Sequence, residues 1–320
     1  MILWGCDMSF YEKGIKSRQV SDDANVGARV GFPRVSVIIP TYYDWSRLKK
    51  CVVALENQSI AQDNFEVIIV NNASDDSPPA DFYLPNNFTM IKEAKPGSYA
   101  ARNAALKISR GEIVAFTDSD CIPDPYWLET AINRLDKGAE RVAGKVELFF
   151  KSEKLTLVEI YEKAFGFDQE RYAQRGGAVT ANMVTWSKNF EIVGYFNDNL
   201  MSGGDNEWGV RASEKGIPVE YAQEVIVNHP ARSNVKDILK KRRRVMGGQL
   251  NKMKKNSKRS FIIILAKGYF PPIKALKLFL EKELTFSERF LAYLLCYYFK
   301  SYSATYRLAL LLGLAKPERS

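Results

Sequence analysis

Ile113-Val-Ala-Phe-Thr-Asp-Ser-Asp120 is the stretch on which the fold turns: a short apolar run passes directly into two carboxylates spaced i and i+2. Such a run fits a parallel strand covered on both faces. Acidic residues at its carboxyl end then fall where open α/β sheets bind ligands. Working backwards, Ser98 opens a helix that carries Ala101, Ala104, Ala105 and Ile108 as far as Gly111. Thr89-Met-Ile91 is a weaker strand, and Phe65-Glu-Val-Ile-Ile-Val70 is a buried one that ends in the turn-rich Asn71-Asn-Ala-Ser-Asp-Asp-Ser77 before Pro78 and Pro79. Val35-Ser-Val-Ile-Ile39 is the first clear strand, expected to stop at Pro40, and Asp44 caps a following helix with Leu48, Val52 and Leu55 at helical spacing. The alternation of strands and helices predicts an open, mostly parallel sheet, with Thr41, Asn72 and Asp118 to Asp120 together beyond its carboxyl edge.

Downstream, Asp124 with Pro125 caps a helix to about Asp136, and Arg141 to Phe150 reads as a strand. After Arg175-Gly-Gly177 come Ala178 to Trp186, a short helix near Lys188 to Val193, and the acidic turn Gly203-Gly-Asp-Asn-Glu207. A helix through Trp208, Val210 and Arg211 ends at Gly216, and Val225-Ile-Val227 is strand-like. From Phe261 onward apolar runs are broken by cations: FIIIL before Lys267, then IKALKLFL, then FLAYLLCYYF before Lys300. None approaches the roughly 20 uninterrupted apolar residues of a spanning helix, so interfacial or packed amphipathic helices are expected.

The 320 residues, 46% hydrophobic and 12% aromatic, suffice for a full core and exclude a disordered chain. Cys6, Cys51, Cys121 and Cys296 form no C-x-x-C pair, so neither a disulfide framework nor a thiolate zinc site is indicated, and a reducing cytoplasm fits. The start MILWGCDMSFYEKG lacks the basic flank and long apolar core of a secretory signal. The net charge of +9 is uneven: residues 232–260 hold twelve Lys or Arg against Asp237 alone. A stripe this basic fits nucleic acid, anionic headgroups or a diphosphate. No recognised nucleic-acid fold motif accompanies it, so nucleic acid is not expected as a partner.

Asp118 and Asp120 at a strand end would point to one side and repel unless a cation lies between them, and hard oxygen ligands favour Mn2+ or Mg2+. An isolated D-x-D also fits a solvated acidic turn; the strand before it and the acidic turn near Asp205 favour a site. His229, the only histidine, fits a packed residue as well as a ligand. Tyr126, Trp127, Trp186 and Trp208 flank these motifs, as stacking walls for a ligand or as core.

Through Val37-Ile-Ile-Pro-Thr-Tyr42, Val70-Asn-Asn-Ala-Ser-Asp75, Ala101-Arg-Asn103, Phe116-Thr-Asp-Ser-Asp120, Gly203-Gly-Asp205 with Arg211, and Val227-Asn-His229, the sequence resembles the family 2 glycosyltransferases. The resemblance covers about residues 34 to 245. It implies the α/β GT-A fold, Rossmann-like with a mostly parallel open sheet flanked by helices, here preceded by an extension over 1–33 and followed by a helical appendage over 246–320. It also implies an inverting transfer from a nucleotide-diphosphate-sugar, a UDP-sugar first, to a glycan or lipid-linked acceptor. Pro40, Thr41, Tyr42, Asn72, Ser74, Asp75, Arg102, Asp118, Ser119 and Asp120 are the implied donor-binding residues. Asp118, Asp120 and His229 are the implied metal ligands, Asp205 the implied general base, and Glu207, Trp208 and Trp186 acceptor-side candidates. Two departures stand out: Asn72 replaces the usual Asp before the turn, and Gly204 replaces the Glu before the base.

Lys240 to Arg244 would then lie near the diphosphate. With the basic stretch and the apolar runs, a location peripheral to the cytoplasmic face of a membrane is expected. Sugar-phosphate nucleotidyl transfer uses a similar sheet, but Pro40-Thr-Tyr-Tyr-Asp44 lacks the glycine-rich loop of that class.

Overall fold

The computed structural model describes residues 32–73, 75–248, 266–280 and 284–318, which belong to one unit running from Phe32 onward. The expected extension over 1–33 lies almost wholly outside the described residues, as do the FIIIL run and the cations from 252 to 259.

Three strands build the parallel half of the sheet: β1 (Val35–Thr41), β2 (Phe65–Asn71) and β3 (Phe88–Lys92), joined by β4 (Ile113–Phe116) on the far side of β1. β1, β2 and β4 are buried along their length but for Pro40, because their residues serve two cores by turns. Val35, Val37 and Ile39 pack with Leu48, Cys51, Val52 and Leu55 of α1 (Trp45–Glu56) and Leu128, Ala131 and Leu135 of α3 (Trp127–Asp136). Ile38, Ile68 and Phe116 pack on the other side, with Ala101 and Ala105 of α2 (Ser98–Leu106) and Trp208 of α7 (Gly204–Glu214). This alternation of period two is why the strands read as unbroken apolar runs.

The remaining strands are β5 (Ile122–Pro123), β6 (Arg141–Phe149), β7 (Met183–Trp186) and β8 (Glu220–Pro230), and the sheet order is β3-β2-β1-β4-β7-β6-β8-β5. Only β7 and β5 run against the rest. The open, mostly parallel sheet expected from the sequence is therefore present. Gly111 lets the chain enter β4: a Cβ there would stand 2.5 Å from the backbone nitrogen of Ser36.

Several boundaries differ from the sequence reading. β1 does not stop at Pro40, since Pro40 pairs with Val70 and Thr41 with Asn71. The ladder with β4 has ended by then, with Thr117 N–H on Ile38 O, so the edge toward which Pro40 would donate carries no partner strand and the missing N–H forfeits no ladder bond. α2 stops at Leu106 and leaves Ile108 exposed. α3 begins at Trp127, because Asp124 spends its carboxylate on the N–H of Tyr126 in the turn before it.

Between β6 and β7 lie α4 (Leu157–Phe165), with a Thr156/Glu159 capping box, and α5 (Gln169–Ala173); α6 (Lys188–Val193) follows β7. α8 (Val235–Gly248) carries straight across residues 245 and 246, where a domain boundary was expected, and α9 (Phe286–Leu311) packs back on α4 and α8. Phe299 of α9 is fully buried with Val158, Tyr161 and Ile238, worth about 1.5–3 kcal/mol for such a side chain. Arg242 of α8 donates to Tyr161 Oη at 2.6 Å and Ser303 Oγ at 2.8 Å. The C-terminal helices are thus part of the same body as the sheet.

Candidate functional site

A cleft of about 1500 Å³ opens over the carboxyl ends of β1, β2 and β4. Pro40, Thr41, Tyr42 and Asn72 line one end, Asp118, Ser119 and Asp120 the floor, and Asp205 and Glu207 a side wall. The opposite wall is cationic, with Arg232, Lys240, Lys241, Arg244 and Arg307.

The two aspartates do not share a partner. β4 ends at Phe116, and residues 118–121 form a turn closed by Cys121 N–H on Asp118 O, so the alternation rule for strands no longer orients them. Asp118 Oδ1 accepts from Arg102 Nη2 at 2.5 Å; Arg102 is buried and also lies over the Tyr99 ring. Asp120 faces the other way, with Oδ2 3.3 Å from Arg47 Nη1 and Oδ1 3.6 Å from His229 Nε2. His229 Nδ1 lies 2.8 Å from the carbonyl oxygen of Pro230, which can only accept, so Nδ1 carries a proton. In the neutral ring Nε2 is then a bare lone pair opposite a carboxylate, an arrangement suited to a shared divalent cation.

The cluster with metal-binding groups within 4.8 Å of one another among the described residues is Asp120, Cys121 and His229. Asp118, expected as a ligand, is not in it; its Oδ1 accepts from Arg102. Cys121 suits such an ion less: its thiol is a soft donor, which Mn2+ and Mg2+ take less readily than oxygen or imidazole. Asp120 and His229 are the residues that fit a hard divalent ion.

Asp44 lines this floor, with Arg47 behind it, although the sequence assigned Asp44 only a cap. Its carboxylate caps no backbone N–H of the helix; it accepts from Arg47 Nε at 2.7 Å and Ser119 Oγ at 3.4 Å. Burial raises the Asp44 pKa, partly offset by Arg47. Contacts across 75 residues leave no local mark in a sequence.

Asn72 does not present a free amide. Nδ2 donates to Glu93 O at 2.7 Å and Lys95 O at 2.8 Å, and Oδ1 accepts from Gly97 N at 2.7 Å. The side chain latches the loop before α2, and its donors are not available to a base edge. Thr41 Oγ1, by contrast, is buried without a partner among the described residues. Asp75 lies off the cleft and accepts from the Tyr43 hydroxyl, while Ser74 is outside the described residues.

Asp205 stands in the first turn of α7, after Gly203 in the left-handed region at φ 79°. Its Oδ1 accepts from Tyr99 Oη at 3.2 Å and Asn206 N at 2.9 Å. Burial raises its pKa, against the pull of the Asn206 N–H and Arg102. Gly204 is required here: a Cβ would stand 2.8 Å from the Tyr99 ring, so the side chain usual at this place in the resembling family has no room. Glu207 is held bidentately by Arg211, with Nε on Oε1 at 2.7 Å and Nη2 on Oε2 at 3.1 Å. Arg211 also donates to Val193 O and Tyr195 O, fixing α7 to the turn after α6.

The aromatic walls are corrected. Trp208 is 0% exposed, stacks on Phe190 and donates to Gly194 O, so it is core. Trp127 is likewise buried, with its indole N–H on Asn182. Trp186 pairs with Ile113 at the start of β4, the end of the sheet away from the cleft, and lies against Arg34 and Lys188. Tyr126 is exposed but does not line the cleft.

The cation wall comes from the segment after β8, from α8 and from α9. Lys241 is half-buried with its ammonium over the face of Phe167, which also contacts His229, and desolvation then Arg232 lower its pKa to about 8. Arg232 is already paired with Glu162 at 2.9 Å.

This sheet, with an acidic floor at its carboxyl edge and a carboxylate at the start of α7, is that of a GT-A glycosyltransferase. The model of glycosyl transferase family 2 matches residues 36–186. Glycosyltransferase AglE of Haloferax volcanii is 35% identical over 225 residues, 68% of this chain and 73% of that protein. The chain belongs to family 2. The pre-mycofactocin glycosyltransferase of Mycobacterium tuberculosis is 25% identical over 63% of the chain and 44% of its own length. The fold is shared with the mannosyltransferase PcManGT of Pyrobaculum calidifontis, solved with GDP-Man and Mn2+, at TM-score 0.57 and 16% identity over 89% of this chain and 88% of that one.

Proposed function

We propose that the chain transfers a sugar from a nucleoside-diphosphate donor to a hydroxyl of a growing or lipid-linked glycan, with inversion at C1. The observation that carries this reading is the half-buried Asp205 carboxylate lining the same cleft as the facing Asp120 and His229 and the cation wall.

In this reading Asp205 accepts the acceptor's hydroxyl proton as its oxygen bonds to C1 and the C1–O bond to the diphosphate breaks. Tyr99 Oη and Asn206 N–H hold the carboxylate in place. Asp120 and His229 would hold Mn2+ or Mg2+, which when bound offsets charge on the departing diphosphate. Lys240, Lys241 and Arg244 face the same charge from α8. Attack from the side opposite the leaving group inverts the anomeric centre. Because these α8 cations line the cleft, and Arg242 and Arg243 bind residues of α4, α9 and the C-terminus, α8 does not offer the continuous basic surface of a nucleic-acid module.

A UDP-sugar is the first donor expected. A GDP-sugar is the second, since the fold neighbour was solved with GDP-Man. The acceptor is placed at the cytoplasmic face of a membrane. Release of nucleoside diphosphate from UDP-, GDP- and dTDP-sugars with Mn2+ tests the reading. Release that requires the cation and one donor supports it; no release from any donor across a panel of glycan and lipid-linked acceptors refutes it.

A further inference from the structure

Residues 269–280 and 284–298 turn apolar side chains to solvent in an order that internal packing does not account for. Ile273–Leu280 is a 3₁₀ helix, where residues three apart eclipse one another. Pro272, Ala275 and Leu278 form the buried ridge, Leu278 packing with Ile160 and Ala292. The neighbouring ridges carry Ile273 and Leu276, then Lys274, Lys277 and Leu280, with Ile273 74% and Leu280 80% exposed.

This segment runs antiparallel along α9: Tyr297 Oη donates to Tyr269 O at 2.8 Å, Lys300 Nζ to Phe270 O at 2.7 Å, and Arg289 Nη1 to Phe279 O at 3.2 Å. α9 buries Ala292, Phe299 and Ser303 inward and leaves Phe290, Leu294 and Tyr298, spaced i, i+4 and i+8, exposed. Two apolar rows thus lie side by side. Scattered exposed apolar residues are ordinary, whereas contiguous rows mark a binding face.

Charge selects the occupant. Residues 266–300 carry six Lys or Arg against three Glu, and the chain's +11 stretch over 232–260 lies upstream. A second copy docked by a two-fold axis would set these lysines against themselves. A bilayer core is excluded for the described helices, none of which is long and apolar enough to cross it. Apolar rows flanked by lysines suit the headgroup region of an anionic lipid surface. We propose that this face docks the chain on an anionic membrane surface, with the rows from Ile273 and Phe290 inserted and Lys274 at the level of the phosphates, while the Lys277 ammonium lies over the Phe165 ring. The inference is independent of sugar transfer, because vesicle binding needs neither donor nor acceptor.

The test is cosedimentation of the full-length chain with phosphatidylcholine vesicles, with and without phosphatidylglycerol, at low and high salt. It is set against the double variant Ile273→Asp/Leu294→Asp, whose altered positions are exposed, with circular dichroism and nucleoside-diphosphate binding as controls of folding. The wild type should bind anionic vesicles and keep part of that binding at high salt. The variant should lose the salt-resistant part and bind at least about tenfold more weakly at low salt, as expected from two apolar side chains no longer leaving water. Failure of the wild type to bind, or equal binding by both proteins, would overturn the proposal. So would a dimer that the variant dissolves without any vesicle binding, which would make this a self-association face.

Discussion

Asp205→Asn separates proton acceptance from everything else the side chain does. Both donors on Oδ1, the Tyr99 hydroxyl and the Asn206 N–H, can be accepted equally by an amide oxygen, so the start of α7 keeps its shape. The amide cannot take the acceptor's proton, and turnover should fall about 10²- to 10⁴-fold, or ~2.7–5.4 kcal/mol of barrier. Stability should move the other way or not at all. Burial raises the Asp205 pKa, so the folded chain binds more protons than the unfolded one between the ordinary value and the raised one. Stability therefore falls as pH rises through that window, and above it the carboxylate is a net cost that the amide removes. In the wild type, the acid limb of the turnover profile should lie above the ordinary carboxylate range and be absent from the variant's residual activity. Nucleoside-diphosphate release gives turnover, calorimetry gives donor affinity, and thermal unfolding at neutral pH gives stability. Donor affinity should stay within about twofold, as for a group that acts only in the transition state. Near-normal turnover would refute the assignment, and so would a clearly lowered melting temperature, which would make Asp205 a structural cap.

Asp120→Ala should abolish the Mn2+ dependence of nucleoside-diphosphate binding, because it removes the carboxylate facing His229; a metal-dependent titration that survives would rule the site out. Lys241→Met should weaken nucleoside-diphosphate binding roughly tenfold to a hundredfold, the scale of a charged hydrogen bond. The same change should not lower the melting temperature at neutral pH, since burial depresses the Lys241 pKa to about 8 and the charged form is the strained one there. In the wild-type protein, affinity for the diphosphate should fall as pH rises through about 8 as that ammonium loses its proton. Gly204→Ala should cost about 1–3 kcal/mol in urea unfolding, the range for overpacking, because its Cβ would meet the Tyr99 ring at 2.8 Å. It should also slow turnover by displacing the hydroxyl that holds Asp205.

The parallel half of the sheet was readable because β1, β2 and β4 are covered on both faces and so are apolar without interruption. The floor of the cleft was readable for a related reason, since polar residues directly after such strands have little else to do. What escaped the sequence depends on distant partners. Asp44 looks like a cap until Ser119 is beside it, and nothing near Asp118 in the sequence announces its pairing with Arg102. Trp208 follows an acidic turn, as a sugar platform would, yet α6 and the turn after it close over its ring. The order of Ile273–Leu280 leaves a weak mark because it repeats every three residues, which matches neither the period of two of a strand nor the 3.6 of an α-helix.

The latch at Asn72 bears on how this site can change over generations. Aspartate at this place would set carboxylate oxygens against the carbonyls of Glu93 and Lys95, which the amide now approaches at 2.7 and 2.8 Å as a donor. An Asn72→Asp change would therefore unfasten the loop before α2. Position 72 and residues 93–97 are constrained together, so a change in either has to be met by the other.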